Sequence, residues 1–261
     1  MTDYARLDQE NLEEFRDPAT YDLEDAGYMD DLPVIAQWAQ TLGGPLLDLA
    51  CGTGRMAIPL ALQGYDVTAV DIAPAMVAWG RQKAAKQGAT ITWEVADARS
   101  FHLQRQFRLI FMLCNAWQFF LTRADQEALL ASVHEHLLPG GCFLFETRNP
   151  NPRNLIEPYK GGRREFATAD GERLVDTTER DYDPVTQLQR FTSNCRWLTP
   201  NGQLLREQTK YTTLRYVYPQ EMEALLHDNG LRIRACYGDW RQEPLTADSP
   251  AMIYVCEQDG G

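Results

Sequence analysis

The feature that most constrains this chain is a short apolar run that ends in a glycine turn. Residues 46–51 read Leu-Leu-Asp-Leu-Ala-Cys, and Gly52-Thr53-Gly54 follows directly. A continuous apolar run of this length is typical of a strand buried on both faces. Gly52 and Gly54 let the backbone turn sharply and approach a ligand, because no side chain stands in the way. The pattern therefore predicts a buried strand, a turn and the start of a helix.

Acids at the ends of two successive apolar runs indicate what the turn binds. Asp48 lies at the end of the first run, and Asp71 ends the next one, 19 residues after Gly52. An acid at about that distance accepts ribose hydroxyls in dinucleotide-binding folds and in methyltransferases alike, and Gly52-x-Gly54-x-x-Ala57 also satisfies the looser dinucleotide fingerprint. Asp48 favours a cationic ligand, since a carboxylate at the lip of the turn repels a pyrophosphate and suits the ammonium and sulfonium groups of S-adenosylmethionine.

Read as a whole, Leu47-Asp48-Leu49-Ala50-Cys51-Gly52-Thr53-Gly54 resembles the first motif of the class I S-adenosylmethionine-dependent methyltransferases. That motif is an acid, two or three small residues and then Gly-x-Gly. Residues 46–150 resemble the family in their sequence motifs. Residues 214–258 resemble it only in the order of their predicted helix and strands. It implies a Rossmann-like α/β fold, a mostly parallel sheet with a C-terminal antiparallel hairpin, with S-adenosyl-L-methionine as cofactor and S-adenosyl-L-homocysteine as product.

Two further motifs of this family extend the expected cofactor site. Asp71-Ile72-Ala73-Pro74-Ala75-Met76 resembles the segment that puts an acid on the ribose and apolar residues against adenine, although Ile72 and Met76 also suit plain core packing. Asp97 resembles the acid that accepts the exocyclic amine of adenine, and a turn residue is the alternative. The residues expected to bind the cofactor are Asp48, Ala50, Gly52, Gly54, Asp71, Ile72, Met76, Asp97, Ala98, Leu113 and Asn115.

Polar residues at the ends of the fourth and fifth predicted strands, residues 107–113 and 142–146, indicate an acceptor site, because open α/β sheets bind ligands at this edge. Base-modifying enzymes of the family usually carry Asn-Pro-Pro-Tyr or Asp-Pro-Pro-Tyr after the fourth strand. This chain has Asn115-Ala116-Trp117-Gln118 instead, which favours a small-molecule acceptor. A salt bridge or a loop anchor is the alternative role for Glu146, Arg148 and Asn149. The residues expected to contact the acceptor are Tyr28, Trp117, Arg148 and Asn149.

The expected reaction is an in-line displacement, in which a nitrogen or oxygen of the acceptor attacks the methyl carbon of the sulfonium. Alignment of two reactants contributes roughly 7 to 11 kcal/mol to such a step, so no strong base is required. An amine acceptor needs only to be deprotonated, whereas a hydroxyl acceptor needs a base near the methyl group. The candidates for this role are Tyr21, Glu146 and His102, and a plain loop position is the alternative for His102.

The rest of the chain divides into an acidic arm and an insertion. Residues 1–31 hold eleven acids against two arginines, which predicts either a solvated amphipathic arm or a lid that carries Tyr21 over the cofactor. Residues 164–217 alternate like four antiparallel strands, with Asp-Gly and Asn-Gly turns between them. We expect an arm at 1–43, a cofactor-binding domain at 44–150 and 214–261, and an inserted antiparallel sheet at 151–213. Such a sheet resembles the layout of the aminosugar N,N-dimethyltransferases and, more loosely, of glycine N-methyltransferase.

Composition excludes several classes of protein. The net charge of −12 argues against a nucleic-acid partner, and no apolar run is long enough for a membrane span, so we expect a soluble cytoplasmic protein, monomeric or dimeric through the inserted sheet. Six cysteines without a Cys-x-x-Cys pair predict free thiols and no metal site, and His134 and His136 are expected at the surface. Two alternatives remain open: a nicotinamide-dependent oxidoreductase and a non-catalytic protein that binds S-adenosylmethionine.

Overall fold

The computed structural model describes residues 2–24, 27–152, 155, 159–168 and 170–260. It contains a seven-stranded sheet, ordered β10-β11-β5-β4-β1-β2-β3, and a separate four-stranded sheet, ordered β6-β7-β8-β9. The strands of the first sheet are β1 Leu46–Leu49, β2 Val67–Asp71, β3 Thr92–Val95, β4 Phe107–Met112, β5 Leu137–Arg148, β10 Leu231–Tyr237 and β11 Ala251–Gln258. Those of the second are β6 Tyr159–Ala167, β7 Arg173–Asp183, β8 Leu188–Leu198 and β9 Leu204–Arg215. The helices are α1 Tyr4–Leu12, α2 Pro18–Glu24, α3 Leu32–Leu42, α4 Ala57–Leu62, α5 Pro74–Gln87, α6 Arg123–His136 and α7 Pro219–Asp228, with 3₁₀ turns at Glu13–Arg16 and Ala116–Phe119.

The seven-stranded sheet confirms the fold class expected from the glycine turn. Strand β1 is buried along its whole length and pairs in parallel with both β2 and β4. Strand β11 runs antiparallel between β5 and β10, which makes the C-terminal hairpin. Apolar clusters cover both faces of the sheet, so its central strands read as continuous hydrophobic runs rather than alternating ones.

The four-stranded sheet confirms the inserted antiparallel sheet. Its strands follow one another in sequence order, and Gly171 and Gly202 take positive φ values of 79° and 86° in the turns where Asp-Gly and Asn-Gly were noted. The expected end of the first of these strands, at Ala169, lies outside the described residues. Alternate residues along each strand face opposite sides of the sheet, so one face can be polar without disturbing the other.

His136 does not lie at the surface, contrary to the expectation. Helix α6 ends at His136, and Leu137 to Gly141 already belong to β5. His136 is only 1% exposed, because its Nε2 accepts the N–H of Leu103 at 2.9 Å and its Nδ1 lies 2.7 Å from the carbonyl of Ser132. This imidazole joins the end of α6 to the loop before β4 and is part of the packed interior, not of the surface.

The N-terminal arm connects the two sheets. Asn11 on α1 is buried and forms two hydrogen bonds with the main chain of Thr213 on β9: its Nδ2 donates at 2.9 Å and its Oδ1 accepts at 2.7 Å. Asp22 on α2 accepts from Trp79 Nε1 at 2.8 Å and from Lys83 Nζ at 2.7 Å, both on α5. The arm therefore fastens the inserted sheet to the helical layer of the parallel sheet.

Within the described ranges, no helix combines the length and apolarity needed to cross a membrane. The six cysteines are free thiols, four of them buried. Across those same residues, no three His, Cys, Asp or Glu side chains come close enough together to hold a metal ion.

Candidate active site

A largely apolar cavity lies at the carboxyl ends of strands β1 to β4, under the N-terminal arm. Its floor is formed by residues that follow those strands, and its roof comes from α1, α2 and the turn after β4. Seven of the expected cofactor residues line it: Ala50, Gly52, Asp71, Ile72, Asp97, Ala98 and Leu113. The roof is formed by Asp8, Asn11, Leu12, Phe15, Tyr21, Phe119 and Phe120. We call this space the cofactor cavity.

The glycine turn is held in place by Asp71. One carboxylate oxygen accepts the N–H of Gly52 at 2.8 Å, and the other accepts the N–H of Ala73 at the same distance. Burial raises the pKa of this carboxyl, while the two backbone hydrogen bonds act in the opposite direction. Gly52 and Gly54 have φ values of 55° and 80°, a region that L side chains rarely adopt. Asp71 thus builds the turn and faces the cavity with its remaining lone pairs.

Asp48 does not reach the cofactor cavity, contrary to the expectation that it meets the ligand at the lip of the turn. It lies behind the turn in the buried strand β1, where burial raises the pKa of its carboxyl to about 8. Its Oδ2 is buried and has no hydrogen-bond partner among the described residues. A carboxyl group kept there interacts with a cation in the cavity only across the glycine turn.

Other expected cofactor residues are also placed differently. Met76 is fully buried, and its Cε lies 3.5 Å from where a Cβ on Gly52 would be, so it packs beneath the turn. Gly54 packs against the Trp93 ring instead of lining the cavity. Asp97 does line the cavity, but Arg99 holds both of its oxygens and lowers the pKa of its carboxyl, against the effect of burial. Asn115 lines a second space, described next.

A larger cavity of about 780 Å³ lies between the parallel sheet and the inserted sheet. Strands β7, β8 and β9 present alternate side chains to it, and the ends of β4 and β5 and the loop after β10 form the opposite side. The inserted sheet contributes Gly162, Arg164, Thr178, Arg180, Gln189, Phe191, Ser193, Thr212, Leu214 and Tyr216. Four residues line this space and the cofactor cavity together: Phe15, Tyr21, Cys114 and Phe119. We call the larger space the acceptor cavity.

Glu146 is the buried acid of the acceptor cavity. Its Oε2 accepts from Trp240 Nε1 at 2.9 Å, and its Oε1 accepts from the N–H of Asn115 at 3.3 Å. Burial and the charge of Asp31 raise the pKa of this carboxyl, which the hydrogen bonds partly offset. Cys114 and Asn115 both have left-handed φ values, 54° and 57°, so Glu146 also holds a strained turn beside the wall that the two cavities share.

The other candidate catalytic and substrate residues fall into two groups. Tyr21, Tyr28 and Arg148 line the acceptor cavity. His102 lies elsewhere, with a side chain that is 72% exposed and its Nδ1 3.4 Å from Glu135.

Trp117 and Asn149 are also outside the two cavities. Trp117 is fully buried, stacked on Phe145 with ring centroids 4.5 Å apart. The side-chain amide of Asn149 donates to the carbonyls of Thr246 and Ser249, each at 3.0 Å, so it anchors the loop before β11.

Several residues of this region were missed by the sequence analysis. Trp240 carries no local signal, because its contact with Glu146 joins positions far apart in the chain. Arg55 forms an ion pair with the fully buried Asp31, the residue before α3, whose side chain makes no capping hydrogen bond to that helix. The polar stripe on β7 to β9 had a signal, since its residues alternate along each strand, but only the tertiary structure decides which face of the sheet covers a cavity.

A mostly parallel sheet with an antiparallel last hairpin, a glycine turn after β1 and an acid at the end of β2 define an α/β fold of the methyltransferase class. Residues 46–141 match the family described as methyltransferase domain. Residues 46–141 are therefore a methyltransferase domain, the fold is that of the class I S-adenosylmethionine-dependent methyltransferases, and S-adenosylmethionine is the cofactor that these similarities support.

Individual relatives are more distant. The putative methyltransferase YqeM of Bacillus subtilis is 29% identical over 41% of this chain, and the match spans 43% of that protein's own length. The cypemycin N-terminal methyltransferase of a Streptomyces species is 26% identical over 83% of this chain and 84% of its own.

Solved structures share the fold at low identity. An S-adenosylmethionine-dependent methyltransferase from Clostridium acetobutylicum matches with a TM-score of 0.76 and 20% identity, over 92% of this chain and 97% of its own. CalS10, an amino pentose methyltransferase from Micromonospora echinaspora solved with S-adenosylmethionine bound, matches with a TM-score of 0.71 and 22% identity, over 91% and 94%.

The residues present fit this cofactor. The turn has no side chain at Gly52, and the space where a Cβ would stand is bounded by Tyr21 and Met76. The carboxylate of Asp71 lines the cavity and would suit ribose hydroxyls, and Ile72 and Leu113 give the cavity apolar surface that would suit a purine ring. The unpartnered Oδ2 of Asp48 behind the turn is the kind of buried acceptor that a nearby positive charge stabilises.

Proposed function

We propose that this chain transfers a methyl group from S-adenosylmethionine to an amine or hydroxyl of a small molecule bound in the acceptor cavity. The observation that carries the proposal is the wall common to the two cavities, made by Phe15, Tyr21, Cys114 and Phe119. Two ligands held on either side of these four residues meet at one point. That arrangement suits direct transfer between them and is not needed by a protein that only binds the cofactor.

The cofactor supplies a methyl group on a sulfonium, which is already a good leaving group. The chain's own residues then have to align the acceptor and exclude water. We assign alignment to Tyr21 and Phe15, which lie on the common wall, and exclusion of water to the arm that roofs the cofactor cavity. We assign to Glu146 the role of taking a proton from the acceptor, since a carboxyl with a raised pKa is a better base than an ordinary one.

The organisation of the chain supports a role for each of its parts. We propose that residues 1–43 act as the lid, that 44–150 and 214–261 bind the cofactor, and that 151–213 cover the acceptor. The hydroxyl and amide groups of the inserted sheet suit a polar acceptor. The name of CalS10 points to an amino sugar as its acceptor, and that of the cypemycin enzyme to a peptide amine, so a nitrogen nucleophile is the first chemistry to test.

The test is a methylation assay on panels of amines and alcohols with labelled S-adenosylmethionine, read by mass spectrometry. A product that gains one methyl group supports the proposal, and Tyr21→Ala is expected to reduce its formation while S-adenosylhomocysteine still binds. Thermal stabilisation by S-adenosylhomocysteine without any methylated product would favour the non-catalytic alternative. Stabilisation by NAD alone would favour the oxidoreductase.

A further inference from the structure

The carboxylates that line the acceptor cavity are all engaged by groups of this chain. Glu14 accepts from Thr212 Oγ1 at 2.8 Å, and Glu24 lies 3.0 Å from the Arg164 guanidinium. Asp239 forms an ion pair of 2.7 Å with Arg241. Glu146 accepts from an indole and a backbone N–H, as described above. Each of the four acidic side chains that line the acceptor cavity therefore already has a partner within the chain.

The arginines of the cavity are not equivalent. Arg164 is held by Glu24 and by the buried Asp176, at 3.0 and 2.8 Å, and Arg180 is not free either. Arg148 differs, because its side-chain hydrogen-bond partner is a neutral amide: the NH1 group donates to Gln118 Oε1 at 3.2 Å. No carboxylate of the described residues forms an ion pair with Arg148, although acidic residues outnumber Lys and Arg by twelve in this chain.

Gln118 keeps Arg148 in this position. Its side chain is fully buried and donates through Nε2 to the carbonyl of Arg215 on β9, at 3.3 Å. The amide oxygen of Gln118 is thereby turned towards Arg148. A guanidinium has five N–H donors in a planar fork, so the single bond to Gln118 leaves Arg148 able to bind a carboxylate through two parallel hydrogen bonds.

A second observation comes from Gln189 on β8, which lines the same cavity. This side chain is fully buried; its Oε1 accepts from Tyr216 Oη at 3.0 Å, while its Nε2 has no partner among the described residues. A buried donor without an acceptor destabilises the protein unless a ligand supplies one. Gln189 and Arg148 together present donors, and no matching acceptors, to whatever fills the cavity.

We propose that the acceptor carries a carboxylate in addition to its nucleophile, and that Arg148 binds this carboxylate. The proposal rests on the methyl transfer proposed above. One guanidinium without an acid partner among the described residues matches one monoanion, whereas a phosphate dianion would leave one negative charge uncompensated. Glu146 and Arg148 lie two residues apart on one face of β5, which separates their Cα atoms by roughly 7 Å. An acceptor whose nucleophile lies near Glu146 and whose carboxylate binds Arg148 therefore has only a few bonds between these two groups.

The test measures binding without turnover, so it does not depend on finding the natural acceptor. The full chain is saturated with S-adenosylhomocysteine and titrated calorimetrically with linear amino carboxylates of increasing length, each paired with its carboxamide. We expect at least one carboxylate to bind about tenfold more tightly than its carboxamide. Arg148→Gln should abolish that preference, and Arg148→Lys should retain part of it. Binding of S-adenosylhomocysteine reports that each variant is folded.

Arg123→Gln is the matched control, because Arg123 is exposed, paired with Glu127 and Asp228, and remote from both cavities. The proposal is overturned if no carboxylate is preferred by the wild-type chain, if the preference survives in Arg148→Gln, or if an aminoalkyl phosphate binds as tightly as the best carboxylate. A preference that is present while every methylation assay fails would instead count against the proposed function alone.

Discussion

The parallel sheet and the inserted sheet bury their residues in opposite ways. Strands β1 and β2 are buried at every position, whereas the first six residues of β9 are all exposed and β7 and β8 carry polar side chains into the acceptor cavity. In the parallel sheet, Asp71 accepts two backbone N–H groups, and one oxygen of the buried Asp48, Oδ2, has no hydrogen-bond partner among the described residues. In the inserted sheet, the buried Asp176 is paired with Arg164.

On the proposed function, this difference separates the recognition of the cofactor from that of the acceptor. A nucleoside that is the same in every turnover suits a rigid apolar cavity with a few backbone-built contacts. An acceptor that varies between related enzymes suits the face of a sheet. Alternate residues on a strand point to opposite faces, so substitutions on the face towards the acceptor leave the other face unchanged. The predictions below test the two regions separately.

The largest expected effect concerns the buried Asp48 of the parallel sheet. Its pKa is raised by burial from 3.8 to about 8, so the stability it contributes is fully present below pH 3.8 and is lost as the pH rises to about 8. Asp48→Asn removes this dependence. In urea titrations across that range, the free energy of unfolding of the wild type should fall relative to the variant, by up to about 1.4 kcal/mol per pH unit. Parallel curves for the two proteins would show that burial does not raise the pKa of the Asp48 carboxyl.

Gly54→Ala should destabilise the glycine turn by about 2 to 4 kcal/mol, measured by chemical unfolding. The alanine would have to keep the backbone φ of 80°, and its Cβ would stand 2.5 Å from the Trp93 ring. Backbone strain and overpacking therefore both contribute to the loss of stability. Gly88→Ala is the control, with a φ of 74° and open space around its Cβ, and should cost only about 1 kcal/mol. Equal effects of the two substitutions would show that Trp93 does not support the turn.

Asn11→Ala tests the fastening between the arm and the inserted sheet. It leaves the N–H and the carbonyl of Thr213 without their partners and should lower the free energy of unfolding by about 1 to 3 kcal/mol. Dissociation of S-adenosylhomocysteine should also become faster, because the arm roofs the cofactor cavity. Gln9→Ala, on the exposed side of the same helix, should change stability by less than about 0.5 kcal/mol. An Asn11 variant that behaves like the Gln9 variant would mean that the arm is held elsewhere.

Asp71→Ala should weaken binding of S-adenosylhomocysteine by about 1 to 3 kcal/mol in calorimetry, through loss of the ribose contact and of the bond that holds Gly52. Asp66→Ala, at an exposed acid just before the same strand, should leave the affinity unchanged. Unchanged affinity in both variants would place the ribose on another group.

The smallest expected effect lies in the acceptor cavity. Trp240→Phe removes the hydrogen bond to Glu146 Oε2 and keeps most of the ring. Because that bond lowers the pKa of Glu146, its loss should move the acidic limb of the kcat/KM profile to higher pH, by about one unit or less. The measurement is a pH–rate profile with an acceptor that the wild-type chain methylates. A uniform loss of activity with an unshifted limb would assign Trp240 to substrate packing instead.

The fold could be predicted from the sequence because its signals are local. The apolar run into Gly52, the acid at Asp71 and the Asp-Gly and Asn-Gly turns each lie within a few residues, and the confirmed parallel sheet and inserted sheet follow from them. The cofactor was likewise implied by one contiguous motif. Local spacing carried no such information about His102, Trp117 or Asn149, which the structure places outside both cavities.

The sequence by itself determined the class of fold, the cofactor and the order of the strands along the chain. Strand periodicity and glycine turns depend only on neighbouring residues. Only the tertiary structure decided that Asp48 is hidden, that Trp240 meets Glu146, and that Arg148 lacks an acid partner among the described residues. Each of these contacts joins residues that lie on different strands or loops. Their partners are set by the packing of whole elements and not by any pattern within one element.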